Sequence, residues 1–100
     1  MDRLALQTLL EELLGSDNVY FQPPASVRME YPAIVYARDD LDTKFADNAP
    51  YGLTDRYQVT VIDRNPDTAI PKAVARLPMC ALSNIFVADN LNHYVFFLYA

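Results

Sequence analysis

Residues 93–99 constrain the fold most, because they carry apolar or aromatic side chains at nearly every position. Side chains alternate between the two faces of a strand, so both faces of this segment are apolar. One explanation is a central strand that the rest of the domain covers on both sides. The other is that one face packs on a second subunit, because interfaces favour Tyr and Phe. The segment therefore predicts a β-strand and leaves the cover of its second face open.

The size and composition of the chain are those of one folded domain. For 100 residues and 11.3 kDa, area scaling predicts that about 65% of the surface is buried on folding, enough for a single two-layer core. A hydrophobic content of 52% with only two glycines excludes a disordered or low-complexity chain. We therefore expect a single domain over residues 1–100.

Hydrophobic periodicity predicts two helices. Residues 3–14 place five leucines on one face at 100° per residue, with Asp2 as N-cap and Gly15 as the left-handed C-cap. Residues 70–77 carry a second apolar stripe, capped by Asp67 or Thr68 and ended by Pro78.

The remaining β-prone segments predict strands at 19–21, 31–37, 56–63, 82–87 and 93–99, the last two joined by a turn over residues 88–92. The order α-β-β-β-α-β-β contains few crossover helices. It predicts an α+β fold with a largely antiparallel sheet of four to five strands and two helices on one face.

Residues 38–50 are predicted to form a long exposed loop, because they are acidic and poor in core residues. The EF-hand spacing fails here, since neither a glycine nor a Glu stands where a calcium loop needs it. Large apolar side chains in a solvated loop indicate a contact with a neighbouring subunit or another protein. The candidate interface residues are Asp39, Asp40, Leu41, Asp42, Phe45 and Asp47.

The sequence offers little to catalysis, and we expect no enzymatic activity, cofactor or metal site. The two glycines lie too far apart for a phosphate-binding loop or a Gly-x-Ser-x-Gly elbow. His93, the single histidine, is interpreted as a structural residue beside a turn, although Ser83 and Asp89 could lie near it. Cys80, the single cysteine, is interpreted as a buried structural thiol. A pair of Asp39 and Asp63 acting as acid and base stays open.

The charge balance disfavours a nucleic-acid-binding surface. The chain carries 13 acidic and 8 basic residues, with a net charge of −5. Binding to phosphates requires clustered Lys and Arg to displace counterions.

As a whole, the chain resembles the small tail-completion or tail-terminator proteins of long-tailed bacteriophages. The likeness covers nearly the whole chain and lies in the order of its elements, in the short leucine-rich helix and in four further segments. These are VYFQPP at 19–24, YPAIVY at 31–36, RYQVTVID at 56–63 and ADNLNHYVFF at 88–97.

The resemblance implies an α+β subunit of the virion that is made in the host cytoplasm and forms a ring, typically a hexamer, at the head-proximal end of the tail tube. Such a ring ends tube polymerisation and joins the tail to the head. The implied partners are further copies of the chain, the tail tube protein and a head-completion or neck protein. DNA would pass through the ring without specific binding, because acidic walls repel phosphate, and no membrane partner is expected.

Two alternatives remain. One is a head-completion or neck adaptor of the same virion, which is also small, ring-forming and non-catalytic. The other is a cofactor-free α+β enzyme or ligand-binding dimer, with the aromatic strands lining a pocket and His93 or Asp63 as the base.

Overall fold

A computed structural model describes the backbone of residues 2–46 and 49–100, and the side chains of 2–41 and 53–100. The elements are α1 (Arg3–Leu14), β1 (Val19–Phe21), β2 (Ala33–Ala46), β3 (Ala49–Asp63), α2 (Ile70–Ala75), β4 (Cys80–Ala88) and β5 (Leu91–Tyr99). They form one five-stranded sheet in the order β1-β2-β3-β5-β4. Only β1 and β2 pair in parallel, and the other pairs are antiparallel. The predicted α+β class and largely antiparallel sheet are confirmed.

Helix α1 forms as the sequence predicts. The Asp2 carboxylate accepts a hydrogen bond from the Ala5 backbone N–H at 2.7 Å, which satisfies one of the free donors of the first turn. Gly15 ends the helix with a φ of 80°, a left-handed conformation that glycine adopts without steric cost. Leu6 and Leu10 are fully buried between the helix and the sheet.

Helix α2 is shorter than expected and starts differently. It covers Ile70–Ala75, and its N-cap is Ala69, which offers no side-chain oxygen. The prediction of Asp67 or Thr68 as N-cap was therefore wrong, although the Thr68 hydroxyl accepts a hydrogen bond from the Ile70 N–H at 3.4 Å. The helix ends before Leu77 because the residue preceding a proline, here Pro78, is disfavoured in helical geometry.

Both helices cover the same face of the sheet, as predicted. Leu6, Leu10 and Val74 of the helices share one core cluster with alternate residues of the strands, namely Val19, Ile34, Tyr36, Tyr57, Val59, Val61, Phe96 and Leu98. Strand β5 is internal, because it pairs with β3 on one side and β4 on the other. Its Phe96 and Leu98 face the helices, whereas Phe97 is half-buried on the helix-free face.

The described part of the predicted loop, residues 38–46 and 49–50, is strand instead. Strands β2 and β3 pair there in antiparallel fashion as far as Ala46 and Ala49. The loop prediction relied on the acidic composition of the segment and on its few core residues. It missed the arginines Arg38 and Arg56, which stand near these acids across the hairpin and form ion pairs with carboxylates of the opposite strand.

The last hairpin turns more tightly than expected. Ala88 pairs with Leu91, so only Asp89 and Asn90 form the turn, with φ values of 54° and 61°. Two consecutive residues with positive φ define a type I′ turn, which matches the twist of the flanking strands. Strand β4 therefore ends closer to the turn, and β5 begins closer to it, than the sequence suggested.

Candidate interaction surfaces

The outer side of β4 is an open strand edge within the described part of the chain, where β4 pairs only with β5. The strand has nine residues and no charged side chain. Leu82 and Val87 are 50% and 67% exposed, and Ile85 and Phe86 are also exposed. Edge strands are normally blunted by charge, proline or short length, because an open edge pairs with other chains.

The opposite edge of the sheet is formed by β1, which, unlike β4, is protected against pairing with a further strand. Strand β1 has three residues, Val19–Phe21, and Pro23 and Pro24 follow closely. A proline has no N–H to donate to a further strand. The two sheet edges therefore differ, and β4 is the one suited to pairing.

A β-bulge shapes the surface beside β4. The register of β4 against β5 shifts between Leu82 and Asn84, so Leu82 and Ile85 lie on the same face although they are three positions apart in the strand. Both line a groove of about 590 Å³ between β4 and α2. Its other lining residues are Pro66, Asp67, Thr68, Pro71, Lys72, Ala75, Tyr94 and Phe96.

The second candidate surface is the hairpin arm, which we define as residues 39–46 of β2 and 49–55 of β3. These stretches pair only with each other among the described residues, because β1 reaches only Tyr36 of β2 and β5 reaches only Arg56 of β3. At about 3.3 Å per residue the arm extends roughly 26 Å beyond the rest of the sheet, and the long axis of the molecule measures 50 Å.

Two arginines fix the base of the arm. Arg56 contacts both carboxylate oxygens of Asp39, at 2.9 and 3.3 Å, and lies 4.5 Å above the ring centre of Phe97. Arg38 contacts Asp55 at 3.2 Å and donates to the Tyr57 hydroxyl at 3.1 Å. The hydrogen bond to Tyr57 and the charge of Asp55 raise the pKa of Arg38, and the hydrogen bond to Asp39 raises the pKa of Arg56.

The structure places the predicted interface residues as follows. Asp39 belongs to the base of the arm, while Asp40 and Leu41 are exposed beyond it. Asp47 and the side chains of Asp42 and Phe45 lie outside the described residues. The sequence analysis missed the exposed residues of β4. The signal that could have revealed them is a run of nine β-prone residues without a charge. In a chain with 21% charged residues, an edge strand without any charge is unusual.

The candidate acid–base pair of Asp39 and Asp63 does not come together. Asp39 lies opposite Arg56, and Asp63 lies seven residues further along β3, a separation of about 23 Å along the strand. The Asp63 carboxylate is buried and accepts from the Asn65 N–H at 3.0 Å. An acid–base pair of Asp39 and Asp63 is therefore incompatible with this geometry.

His93 and Cys80 both pack against neighbouring side chains, although Cys80 is half-buried where the sequence predicted a buried thiol. The His93 ring stacks on Phe86 with centres 4.6 Å apart. Its Nδ1 donates to the Leu91 carbonyl at 3.0 Å, because a carbonyl can only accept. The half-buried Cys80 packs against the core cluster, and burial raises the pKa of its thiol.

Among the described side chains, those of residues 2–41 and 53–100, no three His, Cys, Asp or Glu cluster closely enough to hold a metal ion. Among these residues no helix is long and apolar enough to span a membrane. No known protein family, curated protein or solved structure matches the chain significantly. The likeness to tail-terminator proteins therefore stays a prediction.

Proposed function

We propose that this protein is a structural subunit that assembles with copies of itself into a ring, and that the ring caps the head-proximal end of a phage tail tube. The observation that carries the proposal is the open, uncharged edge of β4. An apolar strand edge of nine residues is a template for pairing with another chain.

The asymmetry of the subunit supports a ring over a two-fold dimer. The sheet has one blunted edge and one open edge, and the arm projects from different strands than the open edge. A contact between two unlike surfaces repeats from copy to copy and closes into a ring when the rotation allows it. The location of that ring at the end of a tail tube is supported only by the resemblance of the sequence segments to tail-terminator proteins.

The acidity of the chain suits a ring around DNA. Each subunit carries a net charge of −5, so a closed ring repels phosphate instead of binding it. In such a ring, one face would contact the tail tube and end its growth, and the other face would bind the neck protein.

Two experiments test the proposal. Light scattering after gel filtration should give about six times the subunit mass of 11.3 kDa, whereas a stable dimer would support the ligand-binding alternative. Electron microscopy of virions made without the protein should show tails of uncontrolled length that do not join heads. Tails of normal length with unjoined heads would assign the protein to the adjacent neck adaptor.

A further inference from the structure

We propose that the hairpin arm of one copy lies along the β4 edge of the next copy, with Leu41 and Leu53 in the groove between β4 and α2. This inference rests on the proposed ring and identifies the contact that builds it. The arm cannot reach the β4 edge of its own chain, because β3 and β5 separate β2 from β4 in the sheet.

The backbone of the arm supplies the strand that the β4 edge lacks. Residues 39–46 of β2 have no partner on their outer side among the described residues. They contain neither proline nor glycine, whereas the β3 side of the arm contains Pro50 and Gly52. The β2 side is therefore the better hydrogen-bonding template. Its length of about eight residues is close to the nine residues of β4.

The apolar side chains of the arm match the groove. Leu41 pairs with Asp55 across the hairpin, and Leu53 lies two residues from Asp55, so both leucines lie on one face of the arm. They are 50% and 62% exposed in the single chain. The groove offers the exposed side chains of Leu82 and Ile85 as apolar contacts, and burial of both sets removes apolar surface from water.

The charges of the two surfaces are opposite. The arm contains four aspartates and one lysine, and two of these aspartates, Asp39 and Asp55, pair with arginines at its base. Residues 68–88 contain Lys72 and Arg76 and no acid, and Asp67 is the one acid among the residues that line the groove. Both of these basic residues are exposed, and neither forms an ion pair with a described residue. Asp40 is also exposed, with only a 3.9 Å approach to Arg56. The contact therefore brings an acidic arm to a basic-flanked apolar edge, which favours the arm over a second β4 edge as its occupant.

The experiment uses two double variants of the full chain. The arm variant is Leu41→Ser with Leu53→Ser, and the edge variant is Leu82→Ser with Ile85→Ser. All four side chains are at least half exposed, so the fold should persist, which circular dichroism checks. The matched control is Leu4→Ser, an exposed leucine of α1 outside the contact.

Analytical ultracentrifugation should show that each double variant self-associates at least about tenfold more weakly than the native chain, because each loses two apolar anchors of the contact. The control should form the native assembly. When the two variants are mixed at equal amounts, the intact arm of the edge variant meets the intact edge of the arm variant. Only one contact can form, so the mixture should stop at a heterodimer.

A charge reversal gives a second, independent readout. Lys72 lines the groove that receives Leu41 and Leu53, so Lys72→Glu should weaken self-association by placing an acid against the acidic arm. The loss caused by Lys72→Glu should shrink at high salt, where charges are screened.

The outcomes separate the contact from the ring. If the arm variant forms native rings, or if the mixture forms no heterodimer, the arm-to-edge contact is overturned while the ring stands. Normal rings that no longer bind tail tubes would assign the arm to the tube and overturn the contact as well. A native chain that stays monomeric at every concentration overturns the ring itself.

Discussion

Single side chains hold the two layers of this protein together. Tyr36 and Tyr57 are buried in the core with their hydroxyl groups satisfied, the first by Gln7 and Arg3 of α1 and the second by Arg38. A buried tyrosine contributes apolar area and, through its hydroxyl, a directed bond. These contacts fix where α1 and the base of the arm lie relative to the sheet.

Leu10 tests the core contribution of α1. Leu10→Ala should lower the free energy of unfolding by about 2–5 kcal/mol, since the side chain is fully buried and its removal leaves a cavity. The matched control is Leu4→Ala on the same helix, where the side chain is 66% exposed, and where we expect a change within about 0.5 kcal/mol. Urea denaturation measures both. Equal losses for the two variants would contradict the assignment of Leu10 to the core.

Cys80 tests the pKa shift that burial causes. Because burial raises the pKa of the thiol, the folded chain should react with iodoacetamide more slowly than the urea-unfolded chain at the same pH. The rate should rise with pH and reach its midpoint above the ordinary thiol value of about 8.5. A raised folded pKa favours the neutral thiol, so its small stabilising effect is present below the unfolded pKa and is lost as the pH rises above it. Faster alkylation of the folded chain would reverse this interpretation.

At the scale of the elements, local irregularities of the strands direct side chains to their surfaces. The bulge of β4 turns Leu82 and Ile85 towards α2. The register shift between Arg38 and Asp40 places Asp39 beside Arg56. Each shift inserts one residue and thereby changes which side chains share a face.

The turn between β4 and β5 provides an element-scale prediction. Asn90 has a φ of 61°, which glycine adopts freely and β-branched residues adopt at a cost. Asn90→Gly should keep or raise the melting temperature, and Asn90→Val should cost roughly 1–2 kcal/mol. Thermal unfolding of both variants measures the difference. A Val variant as stable as the Gly variant would mean that the turn does not have this geometry.

The base of the hairpin arm provides a second prediction at the scale of the elements. Arg56→Ala removes the contacts with Asp39 and Phe97, so the amides of residues 39–41 and 53–55 should exchange hydrogen faster. Arg28→Ala, in an exposed segment, is the control. Unchanged exchange in the arm of the Arg56 variant would show that strand pairing alone holds it.

For the whole molecule, the arm and the β4 edge should change together on assembly. In the free subunit both offer unpaired strand edges, so their outward amides should exchange quickly. In the assembled state the exchange of residues 39–41 and 80–88 should slow, because new hydrogen bonds cover those edges. Hydrogen exchange with mass spectrometry compares the two states. Protection that is equal in both would contradict a role for either surface in assembly.

The amino-acid sequence by itself determined the local structure and the fold class. Helix α1, its caps at Asp2 and Gly15, and the alternation along residues 56–63 depend on neighbours in the chain. Local periodicity and capping chemistry report such features directly. The α+β class then followed from the order of the elements.

Only the tertiary structure decided the character of the two candidate surfaces. Residues 38–46 and 49–50 look like coil in isolation, but in the structure they pair across the hairpin, and Arg38 and Arg56 meet acids of the opposite strand at its base. The openness of β4 depends on the strand order, which places it at an edge rather than between two strands. Strand order and cross-strand charge pairing are relations between residues far apart in the chain, and periodicity within a short window does not contain them.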